Sequence, residues 1–502
     1  MKGHYYISSF FWSTLSRGLN AILGFVTVPL LMGYFGKAEY GILTLATACN
    51  GYMHLLDLGM NTGAVKFFSQ WKAQGRWDLI GKVARTNITF YMLVAAANIL
   101  LLLALAFFGE GLFNITHAQF LQLRSCLFII ALFSVFSWEA APFSQLIIAN
   151  KNIDFTMQMA CIQTLLKGIL IAIVFIADLT LTQYFFWLTL IIALLVIPFA
   201  RKCLKDNLID DLKPGGQWKA FKAVLTFSLA IFALSVFQMT ATQSRVLVLG
   251  MFGNDGATIA ADFRILEVMP NLIIMLCGSF ATIFLPHSSE LVARKDQAGI
   301  EAFAYKWTKL TTILANVMCV PFIYSASEAL SAYVGAENSY LAKWLVLWCL
   351  TVLVQVHTTP GNSLILAYGK TKLLVIVTGI TCALSIAINI ALCRTYGVGS
   401  AVTGYFVYVL VIVGLYYMAF YKKLLGLDRL KMFSSFLWPT LLSFAVLAAV
   451  SFIDIDISLF GGMKERWAYL SVCVLKSFVW FIPYAALLFL TGILKIDELK
   501  EA

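Results

Sequence analysis

The chain has 502 residues, 61% hydrophobic and only 12% charged, with a mean hydropathy of +0.86 and a formal net charge of +11. Soluble domains are about 45–50% apolar and about 25% charged, so a water-soluble fold is excluded and a lipid bilayer is the solvent. The positive charge does not point to nucleic acid, because it collects in the loops of one side.

A spanning helix needs about 20 mostly apolar residues. Fourteen segments qualify, near 7–35, 40–67, 86–108, 120–148, 155–177, 181–203, 222–250, 256–285, 304–326, 340–368, 371–393, 397–421, 434–453 and 467–494. The fold class expected is therefore all-α and polytopic, without a large soluble domain. The opening residues lack a short apolar core followed by a small-residue cleavage site, so they form helix one and not a removed signal. In it, "STLSRGLN" sets Arg17 on a polar stripe with Ser13, Ser16 and Asn20. Helix two ends on Asp57-Leu58-Gly59, helix four carries Arg124 and Glu139, and helix five carries Lys167 in "CIQTLLKGIL". The longest connection, "KDNLIDDLKPGGQWKAFK", leads to helix seven with Arg245. Asp262, Arg264 and Glu267 lie in helix eight, His357 in helix ten and Lys476 in helix fourteen.

With the N-terminus inside, 25 of the 36 Lys and Arg fall in inside loops and tails, and only Lys37, Arg394, Lys464 and Arg466 in outside loops. This asymmetry is the positive-inside rule. It places both termini in the cytoplasm, in agreement with an even number of spans. The ten cysteines are scattered through the spans with no C-x-x-C and no metal-ligand spacing, so they read as small apolar fillers.

Two stretches correspond at a fixed offset. "SWEAAPFSQLIIANK" and "QVHTTPGNSLILAYGK" place Glu139 against His357, Pro142 against Pro360 and Leu146 against Leu364, all 218 positions apart. "GYFG" at Gly33 and "GMFG" at Gly250 repeat 217 positions apart. A duplication is expected: a first lobe over 1–212, a second over 213–425, and two further helices over 426–502. Six spans per copy leave both copies in one orientation, a parallel repeat about the membrane normal. Transporters use this arrangement to build a central path.

"VPLLMGYFGKAEYGILTLATACNGYMHLLDLGM" resembles the first hairpin of the polysaccharide transporter family through Pro29, Gly36, Tyr40-Gly41 and Asp57-Leu58-Gly59. "SRVLVLGMFG" and "ATIFLPHSSEL" are similar to that family's seventh helix and the exit of its eighth. The likeness runs over essentially the whole chain. It implies a flippase of the multidrug/oligosaccharidyl-lipid/polysaccharide superfamily, carrying oligosaccharide on polyprenyl pyrophosphate across a bacterial inner membrane for O-antigen, capsule or exopolysaccharide. A polysaccharide polymerase and chain-length machinery are the partners implied, and no cofactor.

An ionisable group at the bilayer centre costs at least about 2.5–3.5 kcal/mol and usually marks a protein interior or a wet cavity. For the implied substrate, Arg17, Lys167, Arg245 and Arg264 are the expected pyrophosphate cations. Arg grips phosphate in pairs of bonds and Lys acts as a point charge. Each has a structural alternative: Arg264 pairs locally with Glu267, and Arg245 and Arg124 snorkel to the interface. Lys476 either pairs with another helix or meets lipid phosphate. Asp57 fits a family pattern, or simply holds the end of helix two. Pro142 and Pro360 are expected to kink helices four and ten, turning Glu139 and His357 toward the space between the lobes. Both residues can change protonation, which suits proton coupling; a satisfied intramembrane hydrogen bond is the alternative.

Some relatives bind sodium through acidic residues of the seventh and eleventh helices. Here those helices contain none, so sodium coupling by that route is not supported. No enzyme signature is present: "AYGKTK" has Leu364 where a P-loop needs its first Gly, and H-E-x-x-H and G-x-S-x-G are missing. Two other readings stay open. A cation-coupled drug exporter shares the superfamily fold, and a membrane glycosyltransferase or polymerase needs larger outer loops than these.

Overall fold

Helices form throughout because, in hydrocarbon, a spanning segment outside a closed barrel must satisfy every backbone N–H and C=O within itself. The computed structural model describes residues 2–369, 372–460 and 462–495, and no strand occurs among them. Each of the fourteen apolar segments coincides with one helix or with a helix interrupted by a short break. By length and apolarity alone, ten of the described helices can cross a membrane, or eleven if one pair bent by 77° counts as a span. Large apolar side chains such as Leu100, Phe108, Leu132 and Ile176 point outward, where lipid covers them.

Two compact units divide at 261/262. The first holds α1 (Lys2–Phe35), α2 (Lys37–Met53), α3 (Met60–Ala73), α4 (Trp77–Phe108), α5 (His117–Ala149), α6 (Ile153–Ile176), α7 (Leu181–Ala193), α8 (Val196–Lys205) and α9 (Trp218–Phe252). The expected boundary at 212/213 differs because α9 packs on α2 and α3. Helix α10 (Gly256–Arg294) begins in the first unit and continues into the second. There it is followed by α11 (Gln297–Tyr324), α12 (Ala326–Val334), α13 (Ala342–Val356), α14 (Thr359–Tyr368), α15 (Lys372–Tyr396), α16 (Val398–Leu415), α17 (Tyr421–Lys423), α18 (Arg429–Val450) and α19 (Glu465–Leu490). The two extra C-terminal helices, α18 and α19, pack on α11 and α12.

Local chemistry sets the helix starts. Thr116 and Thr180 each form a reciprocal capping box with the Gln three residues on, satisfying donors that a buried helix start would leave orphaned. Asp296 and Asp428 cap α11 and α18 by accepting the backbone N–H of Gly299 and Leu430. Between helices, lipid supplies no hydrophobic drive, so close packing over small residues matters most. Gly41 shows this: a Cβ there would stand 1.8 Å from the carbonyl oxygen of Ala257.

The breaks position the site. Segment two is split into α2, a 3₁₀ turn over His54–Asp57, and α3. Leu58 at φ 51° and Gly59 at φ 73° are left-handed and end the helical run. Pro142, expected to kink its helix, lies inside an unbroken α5. Pro360 instead opens α14 directly after a real break at His357 and Thr358. The two corresponding prolines thus act differently. One removes a single bond within a continuous helix, while the other sits in the first turn, where its missing N–H leaves no gap.

Candidate functional site

Helices α2, α3, α4, α5 and α7 of the first unit line a partly open cavity of about 400 Å³. Its wall includes Asp57 and His54 from the break in segment two, Asn98 from α4, Ser134 and Trp138 from α5, and Thr189 from α7. Among the described residues, Asp57 is the only carboxylate on that wall, and no lysine or arginine lines it.

A chain of side-chain hydrogen bonds runs from Asp57 into the buried core. The Tyr91 hydroxyl donates to Asp57 Oδ1. Gln145 Nε2 donates to Tyr91 Oη at 2.7 Å, and Asn87 Nδ2 to Gln145 Oε1 at 2.7 Å. Tyr91, Gln145 and Asn87 are wholly buried. Every donor in this chain points toward Asp57. Its Oδ2 also accepts the Asn61 N–H at 3.3 Å, capping the start of α3. Trp138 stacks on Tyr91 with centroids 6.2 Å apart.

Glu139 lies beside this network, within electrostatic reach of Tyr91. Its residue exposure is 8%, and neither carboxylate oxygen has a hydrogen-bond partner among the described residues. His357, its counterpart in the second unit, is placed otherwise. It is 1% exposed and stacked on Phe436 of α18 at 4.2 Å, with Nε2 3.2 Å from the Tyr417 hydroxyl. Helix α18 covers it through Phe436.

The cations separate into classes. Arg17 is exposed on α1, and no carboxylate pairs with it among the described residues. Lys167, half-buried on α6, has Gln163 Oε1 at 3.4 Å as its one hydrogen-bond partner among the described residues. Helices α1 and α6 run side by side. Leu23 would meet a Cβ on Gly168 at 3.5 Å, and the rings of Tyr34 and Phe175 meet at 5.1 Å. Leu23 is therefore level with Lys167, and Arg17 lies six residues earlier, about 9 Å along the axis.

Arg245 is buried on α9, and Arg124 is half-buried two turns inside α5. Arg264 donates to Glu267 at 2.8 Å, the local pair its spacing allowed. Lys476 pairs with Glu328 of α12 at 2.5 Å, so it meets another helix rather than lipid phosphate. Asp262 accepts the Tyr340 hydroxyl at 2.8 Å on both oxygens.

Formal charge alone does not point to Asn98, Thr189, Tyr91 and Gln145. A signal existed for the cavity: Thr47, Asn50, His54, Asp57 and Asn61 recur at steps of three and four through one apolar segment. That is one polar face of a helix.

A bundle of apolar helices with internal breaks, a partly open cavity that carries a carboxylate, and intramembrane cations defines a multi-pass membrane transport protein. The fold is that of the multidrug/oligosaccharidyl-lipid/polysaccharide superfamily. It superimposes on the lipid II flippase MurJ, in an inward closed conformation, with a TM-score of 0.71 over 98% of this chain and 99% of that one, at 15% identity. An inward-facing multidrug resistance MATE family transporter gives a TM-score of 0.67 at 10% identity, over 86% and 96% of the two chains. Within that fold the chain belongs to the polysaccharide biosynthesis protein family, whose model matches residues 7–292. The uncharacterized membrane protein EpsK of Bacillus subtilis (strain 168) is 21% identical over 398 residues, 74% of each chain.

Proposed function

We propose that this protein flips oligosaccharide repeat units, linked to polyprenyl pyrophosphate, from the cytoplasmic to the periplasmic leaflet of a bacterial inner membrane. Both termini are then cytoplasmic, and transport proceeds by alternating access. The observation that carries this reading is a pair of neighbouring intramembrane cations, Arg17 and Lys167, without carboxylate partners among the described residues, in a chain of the polysaccharide family. A sugar head and a pyrophosphate cannot cross hydrocarbon unaided, because their polar groups would lose water without replacement. Guanidinium and ammonium groups replace that water at the phosphates. Arg245 and Arg264 complete the set in this reading, Arg264 with its charge already shared by Glu267. A polymerase and chain-length machinery receive the product.

The energy comes from protons in the same reading, through Glu139, whose carboxyl has no hydrogen-bond partner among the described residues. The test is glycan display in a strain deleted for its own oligosaccharide flippase. Expression of this chain restores surface glycan, and Glu139→Gln restores it without the response to an imposed pH gradient. Failure of the wild-type chain to restore any glycan sinks the reading. An unchanged gradient response in Glu139→Gln removes Glu139 from coupling.

One observation favours a second reading, a cation-coupled drug exporter: the cavity wall combines Asp57 with Trp138 and His54, an acidic and aromatic lining. Membership of the polysaccharide family weighs against it.

A further inference from the structure

Arg17 and Lys167 are not on the wall of the first unit's cavity, which carries no lysine or arginine among the described residues. The wall instead mixes acceptors and donors around one aromatic ring. Thr47 donates its hydrogen to Leu43 O at 2.9 Å, Ser134 to Ile130 O at 2.9 Å and Thr189 to Phe185 O at 2.8 Å. With their hydrogens committed, these hydroxyls have acceptor capacity left to offer. Asn98, 1% exposed, donates Nδ2 to Ser134 Oγ at 2.9 Å, and its Oδ1 has no partner among the described residues. In its ionised form Asp57 has about four acceptor positions, and Tyr91 and the Asn61 amide take two of them. The wall also includes Asn50, Ser137 and Trp138, whose amide, hydroxyl and indole groups can donate. The Trp138 ring is held in place, stacked on Tyr91 at an interplanar angle of 29° and with the His54 ring 5.2 Å away.

We propose that this cavity receives one uncharged sugar residue of the transported head, a hexose or N-acetylhexosamine, and rejects a uronic acid. A pyranose carries hydroxyls around its rim that both donate and accept, and an apolar C–H face suited to an aromatic ring. The wall offers a partner for each: acceptors at Thr47, Asn98, Thr189 and Asp57, donors at Asn50 and Ser137, and the ring of Trp138. A volume of about 400 Å³ falls in the range of about 300–1,000 Å³ usual for small-molecule sites. The cavity is also partly open, as a sugar that stays linked to its lipid requires. Charge sets the selectivity. A uronate carboxylate would leave water without finding a cation on the wall, and it would stand beside Asp57. The same cost falls on phosphate, so sugar and pyrophosphate are recognised by different residues. Hydroxyl positions add to the selectivity, because a site built around a substrate hydroxyl is left with unpaired polar groups when that hydroxyl is missing. The inference rests on the flippase reading and names the sugar class which that reading leaves open.

The test is thermal unfolding of the full chain in lipid nanodiscs, titrated with methyl glycosides of glucose, galactose, N-acetylglucosamine, N-acetylgalactosamine and glucuronic acid. Sorbitol at equal concentration corrects for the general stabilisation that excluded polyols give. A ligand bound only by the folded state raises the melting temperature by mass action. The expected result is a saturable rise of a few degrees with at least one neutral glycoside, and at least tenfold weaker binding of the glucuronide. Trp138→Leu abolishes the rise, and Thr189→Val, isosteric and lacking one oxygen, raises the half-saturating concentration several-fold. Should Trp138→Leu fail to fold, Thr189→Val decides alone. Melting that matches sorbitol with every glycoside overturns the inference. So does glucuronide binding as tight as that of the neutral sugars, or a response that neither variant changes. Stabilisation by tetraphenylphosphonium, with all glycosides inert, also overturns it and assigns the cavity to a cationic drug. A chain that restores surface glycan yet melts as in sorbitol refutes the sugar site and leaves the flippase reading standing. Glycoside-dependent melting in a chain that restores no glycan keeps the sugar site and sinks the flippase reading.

Discussion

Replacing Arg17 and Lys167 together by alanine is expected to reduce delivery of lipid-linked oligosaccharide to the outer leaflet by more than about tenfold. A hydrogen bond to a charged group contributes about 1.5–3 kcal/mol, so each single variant loses roughly tenfold or more, and because both cations serve one ligand the two losses need not add. The amount of protein in the membrane should stay near wild type. Neither side chain has a carboxylate partner among the described residues, so removing it strands no opposite charge. That distinguishes these two from Arg245, whose burial exposes its variants to folding defects, and from Arg264, whose loss leaves Glu267 alone. Arg17→Lys keeps the charge and loses the two-pronged grip, so intermediate delivery is expected. Surface glycan measured per unit of membrane-inserted protein is the readout. Full delivery by Arg17→Ala/Lys167→Ala sinks the assignment of the phosphate site.

The sequence was most informative where one physical rule acts on one segment. Apolar length against bilayer thickness located all fourteen helical segments, and the cost of intramembrane charge singled out the ionisable residues. Partners were another matter. Glu328 is 148 positions from Lys476, and no local pattern joins them. Phe436 on α18 covers His357, which the repeat alone could not reveal, because α18 lies outside it. Arg264 and Glu267 were legible as a pair because three residues make one helical turn. The stripe of Thr47, Asn50, His54, Asp57 and Asn61 was also legible in principle. Formal charge gives no sign of uncharged amides and hydroxyls, although these too are costly to bury without partners.

Lys476→Met should be among the most destabilising single changes in the second unit, at about 3 kcal/mol. The ion pair with Glu328 is mostly buried, with side-chain exposures of 13% and 23%. Losing one member of such a pair costs about 3–5 kcal/mol, because the other charge stays in place without a partner; the partial exposure sets the low end. The pair also sits where the backbone turns. Helix α12 departs from α11 at 77°, the Tyr324 ring lies 5.2 Å from Lys476 Nζ, and the Tyr324 hydroxyl donates to Val450 O at 2.9 Å. Helix α19 is thus fastened to the bend, and the end of α18 is fastened to the same tyrosine. Removing the charge should loosen both C-terminal helices. The combined variant Lys476→Met/Glu328→Gln should regain most of the loss, since neutralising both partners leaves no isolated charge. Melting in nanodiscs decides the matter. If the double variant unfolds as readily as Lys476→Met, the stranded carboxylate is not the cause, and lost packing of the lysine stem must carry the effect.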